Sequence, residues 1–208
     1  MKSLVIVMVL MISGALYAGT TTQGIEAYHK GDYKSALKLF KKACDAGDTT
    51  GCYNAAVMYE NAKGVIFDYR KAGELYLKAC KNGDATSCSN LGVLYEHGRF
   101  GSLQYLQAAK LYNKACNMGS NVGCYNLAVM YYKGRGVHRN YNKAKKLYDK
   151  VCDAGYGEAC YYLGKIFEKG HGGILDKPLA KSIYKKACNM GYSDGCYRFR
   201  RLRDEGVK

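Results

Sequence analysis

A cysteine, seven residues and a second cysteine make up the stretch Cys44–Cys52, and the same spacing returns at Cys80/Cys88, Cys116/Cys124, Cys152/Cys160 and Cys188/Cys196. Successive copies start 36 residues apart without gap or insertion, and all ten cysteines of the 208-residue chain are used. A fixed period of this length marks an array in which one small supersecondary unit stacks on the next. It overrides any domain count made from length. The composition, 48% hydrophobic and 24% charged, leaves enough apolar side chain for a continuous core.

Within the period, residues three and four apart form a helical face. One column is always alanine: Ala36, Ala72, Ala108, Ala144 and Ala180. Leu39, Leu75, Leu111, Leu147 and Ile183 follow, then Phe40, Tyr76, Tyr112, Tyr148 and Tyr184, then Ala43, Ala79, Ala115, Val151 and Ala187. This is the stripe of an amphipathic helix. Gly47, Gly83, Gly119, Gly155 and Gly191 stand three residues after each first cysteine, where a helix end favours a left-handed residue. A second helix follows, with Ala55, Met58 and Tyr59 as its core face in the first copy. Gly98, Gly134 and Gly170 close it in later copies, but Ala62 stands in that column in the first. The pattern predicts residues 32–208 as five units, the last shortened, preceded by a capping helix over 19–31. Arg198, Arg200, Arg201 and Arg203 suit a carboxy-terminal cap that faces water.

Each cysteine pair then straddles a tight helix hairpin, the first in the last turn of one helix and the second in the first turn of the next. The expected pairs are Cys44–Cys52, Cys80–Cys88, Cys116–Cys124, Cys152–Cys160 and Cys188–Cys196. Each closes a loop of about nine residues, worth roughly 2.5 kcal/mol by chain entropy. Zinc would favour close C-x2-C pairs with histidine in register, and His29, His97, His138 and His171 follow no register. No metal and no cofactor is expected. Disulfides require an oxidising compartment. Lys2, the apolar run 4–12 and the small residues ending at Ala18 read as a signal peptide over 1–18, the alternative being an uncleaved anchor. The expected location is secreted or periplasmic.

The run Tyr125-Asn126-Leu127-Ala128-Val129-Met130-Tyr131-Tyr132-Lys133-Gly134-Arg135-Gly136-Val137, completed by Ala144, Leu147, Tyr148 and Gly155, resembles the Sel1-like repeat signature. With a C-x7-C pair in every unit, residues 22–205 resemble the Helicobacter cysteine-rich protein family. That resemblance implies an all-α, right-handed αα-superhelix (solenoid) of helix hairpins, each stapled by a disulfide. It also implies penicillin binding with slow β-lactamase activity. Other Sel1-like and tetratricopeptide-like proteins are adaptors that bind peptides, so the implied functions fall into two classes.

The residues themselves give the enzyme little. Ser35-x-x-Lys38 and Ser182-x-x-Lys185 fit the first element of a serine β-lactamase, but in different registers and on Lys-rich helices. No K-T-G follows, Ser193-Asp194-Gly195 only approximates S-D-N, and no catalytic residue emerges. Binding has more support. The second helices carry a stripe at Asn54, Asn90 and Asn126, continued by His97 and Lys133, with Tyr53, Tyr125 and Tyr161 beside it. An amide both donates and accepts, so such a ladder would pair with a peptide backbone in a concave groove; alternatively it satisfies bonds between helices and the tyrosines are packing. Small residues at Ala56, Gly92, Ala128 and Gly164 would let a neighbouring helix approach. The chain holds 32 Lys and Arg against 17 Asp and Glu, a formal charge of +15. Lys42, Lys78, Lys114, Lys150 and Lys186 form its most regular basic column, either a solvated face or one drawn to anionic cell-wall or host surfaces. The expected partners are a peptide, muropeptide or β-lactam taken up by a monomer, without nucleic acid and without a membrane span.

Overall fold

The computed structural model describes residues 19–173 and 175–208; the expected signal peptide lies outside them. Every element it contains among those residues is a helix. Two compact units divide at Leu103/Gln104. The first holds α1 (residues 19–29), α2 (Tyr33–Asp45), α3 (Thr49–Glu60), α4 (Tyr69–Lys81) and α5 (Ala85–Glu96). The second holds α6 (Tyr105–Asn117), α7 (Asn121–Lys133), α8 (Tyr141–Asp153), α9 (Gly157–Glu168), α10 (Lys177–Asn189) and α11 (Ser193–Asp204).

The even-numbered helices are amphipathic in the register the alanine column predicts. α4 buries Ala72, Gly73, Tyr76, Ala79 and Cys80, and α8 buries Ala144, Tyr148, Val151 and Cys152. Of the odd-numbered helices, α3, α7 and α9 are each sandwiched between two others. α3 packs on both α2 and α4, and α9 on both α8 and α10. A helix flanked on two sides needs apolar or small residues on both, which is why α3 buries Gly51, Cys52, Ala55, Ala56, Met58 and Tyr59. Gly164 shows the close approach the small-residue column anticipates. A Cβ there would lie 2.7 Å from the Tyr184 ring, so α9 and α10 meet only because it is absent.

The helix ends are written in side chains. Asp48, Asp68, Asp84, Ser120, Asn140 and Asp176 each accept a hydrogen bond from an amide of the first turn they precede. Such caps contribute about 1 kcal/mol apiece. At the other end of the odd-numbered helices the left-handed position is taken by Gly98, Gly134 and Gly170, with φ near +64°, +71° and +64°. In the first hairpin Ala62 takes it at φ +54°, the one non-glycine residue with positive φ among those described. The chain keeps the turn where the sequence lacks the glycine, because Lys63 still donates its amide to Met58 and Asp68 to Tyr59, closing the loop.

Five disulfides join the cysteines in the expected pairs, with Cα atoms 4.4 to 4.7 Å apart. In the three hairpins with the 4.4 Å separation that closeness has a cause the cysteine spacing does not reveal. Gly51, Gly123 and Gly195, each one residue before a second cysteine, sit against the preceding helix; a Cβ on Gly51 would lie 2.7 Å from Ala43 Cβ. Two backbones brought this near leave the cysteines little choice but to face each other.

Candidate functional site

The buried aromatic of each even-numbered helix is the reference point for the site. Tyr76, on α4, is fully buried, and its hydroxyl donates to Glu60 Oε2 on α3 at 2.7 Å. It also receives a hydrogen bond from the side chain of Asn90 on α5. Burial, and then the Glu60 carboxylate, push the Tyr76 phenol far above its ordinary range, so it stays a donor at any physiological pH. Three successive helices are thereby tied at one hydroxyl. Glu60 stands 16 residues before the tyrosine and Asn90 stands 14 after it.

The last hairpin repeats this clamp with one change. Tyr184 donates to Glu168 Oε2 at 2.6 Å, and Arg198 takes the asparagine's place, 3.5 Å from Glu168 Oε1. Arg201 pairs with the same oxygen. Arg198 and Arg201 therefore turn inward onto a carboxylate whose side chain is only 9% exposed, rather than out to water as a solvent-facing cap. Without the two arginines this nearly buried carboxylate would lack a compensating charge.

Two positions of the period break the clamp. On α7, α8 and α9 the three residues are Tyr132, Tyr148 and Tyr162. The Tyr162 ring stacks on Tyr148 at 5.5 Å and the Tyr132 ring meets it edge-on at 6.4 Å. The Tyr148 hydroxyl is buried with no partner. On α1, α2 and α3 the three residues are Gly24, Phe40 and Asn54. Gly24 offers no carboxylate and lies so near Phe40 that a Cβ would come within 2.7 Å of its ring. Phe40 has no hydroxyl for Asn54 to bind. What results is a cleft of about 270 Å³ lined by Ile25, Tyr28, His29, Phe40, Asn54, Val57 and Met58. It is apolar on most sides, with one amide and one imidazole.

The expected binding stripe thus has unequal members. Asn54 lines the cleft. The Asn90 amide is engaged with Tyr76. Asn126 is half-buried on α7. Tyr53 packs near Tyr76, ring centres 6.1 Å apart, and edges a shallow trough with Thr49, Thr50, Asp84 and Thr86. Tyr125 donates to Glu158, and burial first and that carboxylate second raise its phenol well beyond the usual range. Tyr161 is core, 9% exposed, packed between Tyr184 and Tyr192. His97 is the exposed cap residue of α5, and Lys133 ends α7 in solvent. Asn54 and Asn90 therefore share a column but not a task, since only Asn54 lacks a tyrosine to serve.

Ser35 bonds the cap residue Asp32 and holds that carboxyl below its ordinary value. Ser182 donates to the Leu179 carbonyl at 2.9 Å, while Lys185 lies over the Phe199 ring. Both serines serve the first turn of a helix. His138 is exposed, and His171 stacks on Tyr141 at 4.2 Å, where burial and then the cations Lys169, Arg139 and Lys165 lower its pKa. Among the described residues no three His, Cys, Asp or Glu side chains converge as a metal site. In the basic column, Lys78 reaches Asp45 at 3.2 Å and Lys186 reaches Asp153 at 2.6 Å. Those two lysines link consecutive hairpins instead of forming an uninterrupted basic face.

The Sel1 repeat family matches residues 21–48, 49–84, 85–120, 122–156 and 157–192, a phase in which each odd-numbered helix opens a repeat. HcpE of Helicobacter pylori, whose name suggests a beta-lactamase, is 42% identical over 45 residues, 22% of this chain and 13% of that protein. Cysteine-rich protein B of H. pylori is 32% identical, with a TM-score of 0.52 over 64% of this chain and 95% of that one. A protective antigen of uropathogenic Escherichia coli with an SLR fold is 31% identical, with a TM-score of 0.86 over 92% of this chain but 42% of that one. The chain thus matches about an eighth of the length of HcpE and under half of the antigen.

Proposed function

The chain belongs to the Sel1 repeat family and is related to the Helicobacter cysteine-rich proteins, and from that premise we propose that it is an extracytoplasmic binding module that captures a peptide through the cleft at Asn54. The observation carrying this reading is the vacated clamp at Gly24, Phe40 and Asn54. In the same column Asn90 serves Tyr76; here an amide lines a cleft with apolar walls. An amide pairs with a peptide group, donating to its carbonyl and accepting from its N–H. At about 270 Å³ the cleft falls just below the roughly 300–1,000 Å³ of small-molecule pockets. It suits one apolar side chain of an extended peptide better than a whole β-lactam. The five disulfides support a working place outside the reducing cytoplasm. No described helix is long and apolar enough to cross a membrane.

The test is selection of a binder from a random peptide library by the oxidised protein, followed by titration of the best peptide. Val57→Asp, which puts a charge on the cleft wall, is expected to abolish binding, and Asn54→Ala to weaken it about tenfold, the loss of one well-formed hydrogen bond. Selected peptides that bind both variants unchanged would refute the cleft as the site. Turnover of a chromogenic β-lactam in the same preparation would support the activity that the name of HcpE suggests, and its absence leaves the binding module.

A further inference from the structure

The loop between α3 and α4 exposes two large apolar side chains that the fold does not use. In Val65-Ile66-Phe67, Val65 is half-buried, while Ile66 is 84% exposed and Phe67 is 60% exposed. The Ile66 column holds Ser102 and His138 in the next two copies, and the Phe67 column holds Leu103, Arg139 and Leu175, so this loop is the first to carry two large apolar residues side by side. Phe67 packs on Tyr69 with ring centres 5.6 Å apart, and Arg99 lies 5.0 Å above the same tyrosine. Lys63, Arg70 and Lys71 flank the loop and are exposed. The loop's own carboxylate, Asp68, is spent on α4, accepting from the amides of Arg70 and Lys71 at 3.0 Å and from the Lys71 ammonium at 3.4 Å. The result is an apolar tip whose own loop and neighbouring segments carry the exposed cations Lys63, Arg70, Lys71 and Arg99, on a chain of formal charge +15.

We infer that this loop docks the protein on an anionic lipid surface, independently of the peptide cleft. Two protruding side chains fall far short of the roughly 800 Å² per partner of a specific protein interface. Exposed apolar side chains beside cations are what a bilayer interface takes up, the apolar groups entering the acyl boundary and the cations meeting the headgroups. Lys and Arg stems can lie along the acyl boundary while their charges stay wet. The bilayer itself is not crossed; the contact is peripheral.

The chain has no tryptophan, so Phe67→Trp places a single reporter at the tip. The oxidised variant is mixed with vesicles of phosphatidylcholine alone, or of phosphatidylcholine and phosphatidylglycerol in equal parts, at low salt. A blue-shifted emission with the anionic vesicles and none with the neutral ones is expected. In co-sedimentation, Ile66→Ser with Phe67→Ser should lower partition at least about tenfold. Arg70→Gln and Arg99→Gln should each lower it on the order of fivefold. Partition that is unchanged by the double serine substitution would assign any binding to net charge and overturn the proposal, as would no partition at all. The Asn54→Ala variant should sediment as the unmodified protein does, which keeps failure of the cleft distinct from failure of the loop.

Discussion

Tyr148 and Tyr184 occupy the same register of the repeat and are both fully buried, yet only Tyr184 has a hydrogen-bond partner. The difference predicts opposite outcomes for the same conservative change. Tyr184→Phe strips the bond to Glu168 and leaves a nearly buried carboxylate one donor short, costing about 1–3 kcal/mol. Tyr148→Phe removes a hydroxyl that bonds nothing and should be neutral or stabilising by up to about 1 kcal/mol. Urea unfolding of the two variants side by side checks this. A second consequence is a pH dependence at the alkaline end. Burial raises the phenols of Tyr76, Tyr125, Tyr132, Tyr148, Tyr162 and Tyr184, and that of Tyr192 to about 12. Protons are then held more tightly by the folded chain than by the unfolded one. Their contribution is complete below the unfolded phenol value of about 10 and is lost as pH climbs from there toward the folded values. Phenolate absorbance should therefore rise later in the folded protein than in denaturant, and stability should fall above pH about 10.

At the level of the element, the helices and their staples were legible because each is set by neighbours close in sequence. The alanine and tyrosine columns, the capping residues and the cysteine spacing each act within one turn or one hairpin. The clamps were not legible. Glu60 and Asn90 sit on helices before and after Tyr76, and read singly each is an ordinary polar residue of a helix face. Only the packing of α4 between α3 and α5 shows that they converge. The asparagine column looked uniform for the same reason, although Phe40 in place of tyrosine had already set Asn54 apart. Ala62 gives a local test: Ala62→Gly should stabilise by about 1 kcal/mol, because a left-handed residue with a Cβ costs roughly that much, measured as a rise in the urea midpoint. Removing one staple, as in Cys116→Ala with Cys124→Ala, should cost about 2.5 kcal/mol by loop closure.

At the scale of the whole molecule, one interaction pattern is used repeatedly and function is sought where it lapses. Each unit is held by helix pairs that cannot bury a core alone, by disulfides within hairpins and by ion pairs between them. The Lys78–Asp45 and Lys186–Asp153 pairs are exposed, so salt should cost little stability through them. Where tyrosine and glutamate give way to phenylalanine and glycine, the first unit has a cleft in place of a clamp. Adding one oxygen tests that claim most directly. Phe40→Tyr would give Asn54 the hydroxyl that Asn90 already has in Tyr76, and so rebuild half of the clamp across the cleft. Titration of the selected peptide against the oxidised Phe40→Tyr protein should show affinity reduced about tenfold or more, with the urea midpoint unchanged or raised. Unchanged affinity in a stably folded Phe40→Tyr protein would contradict the account.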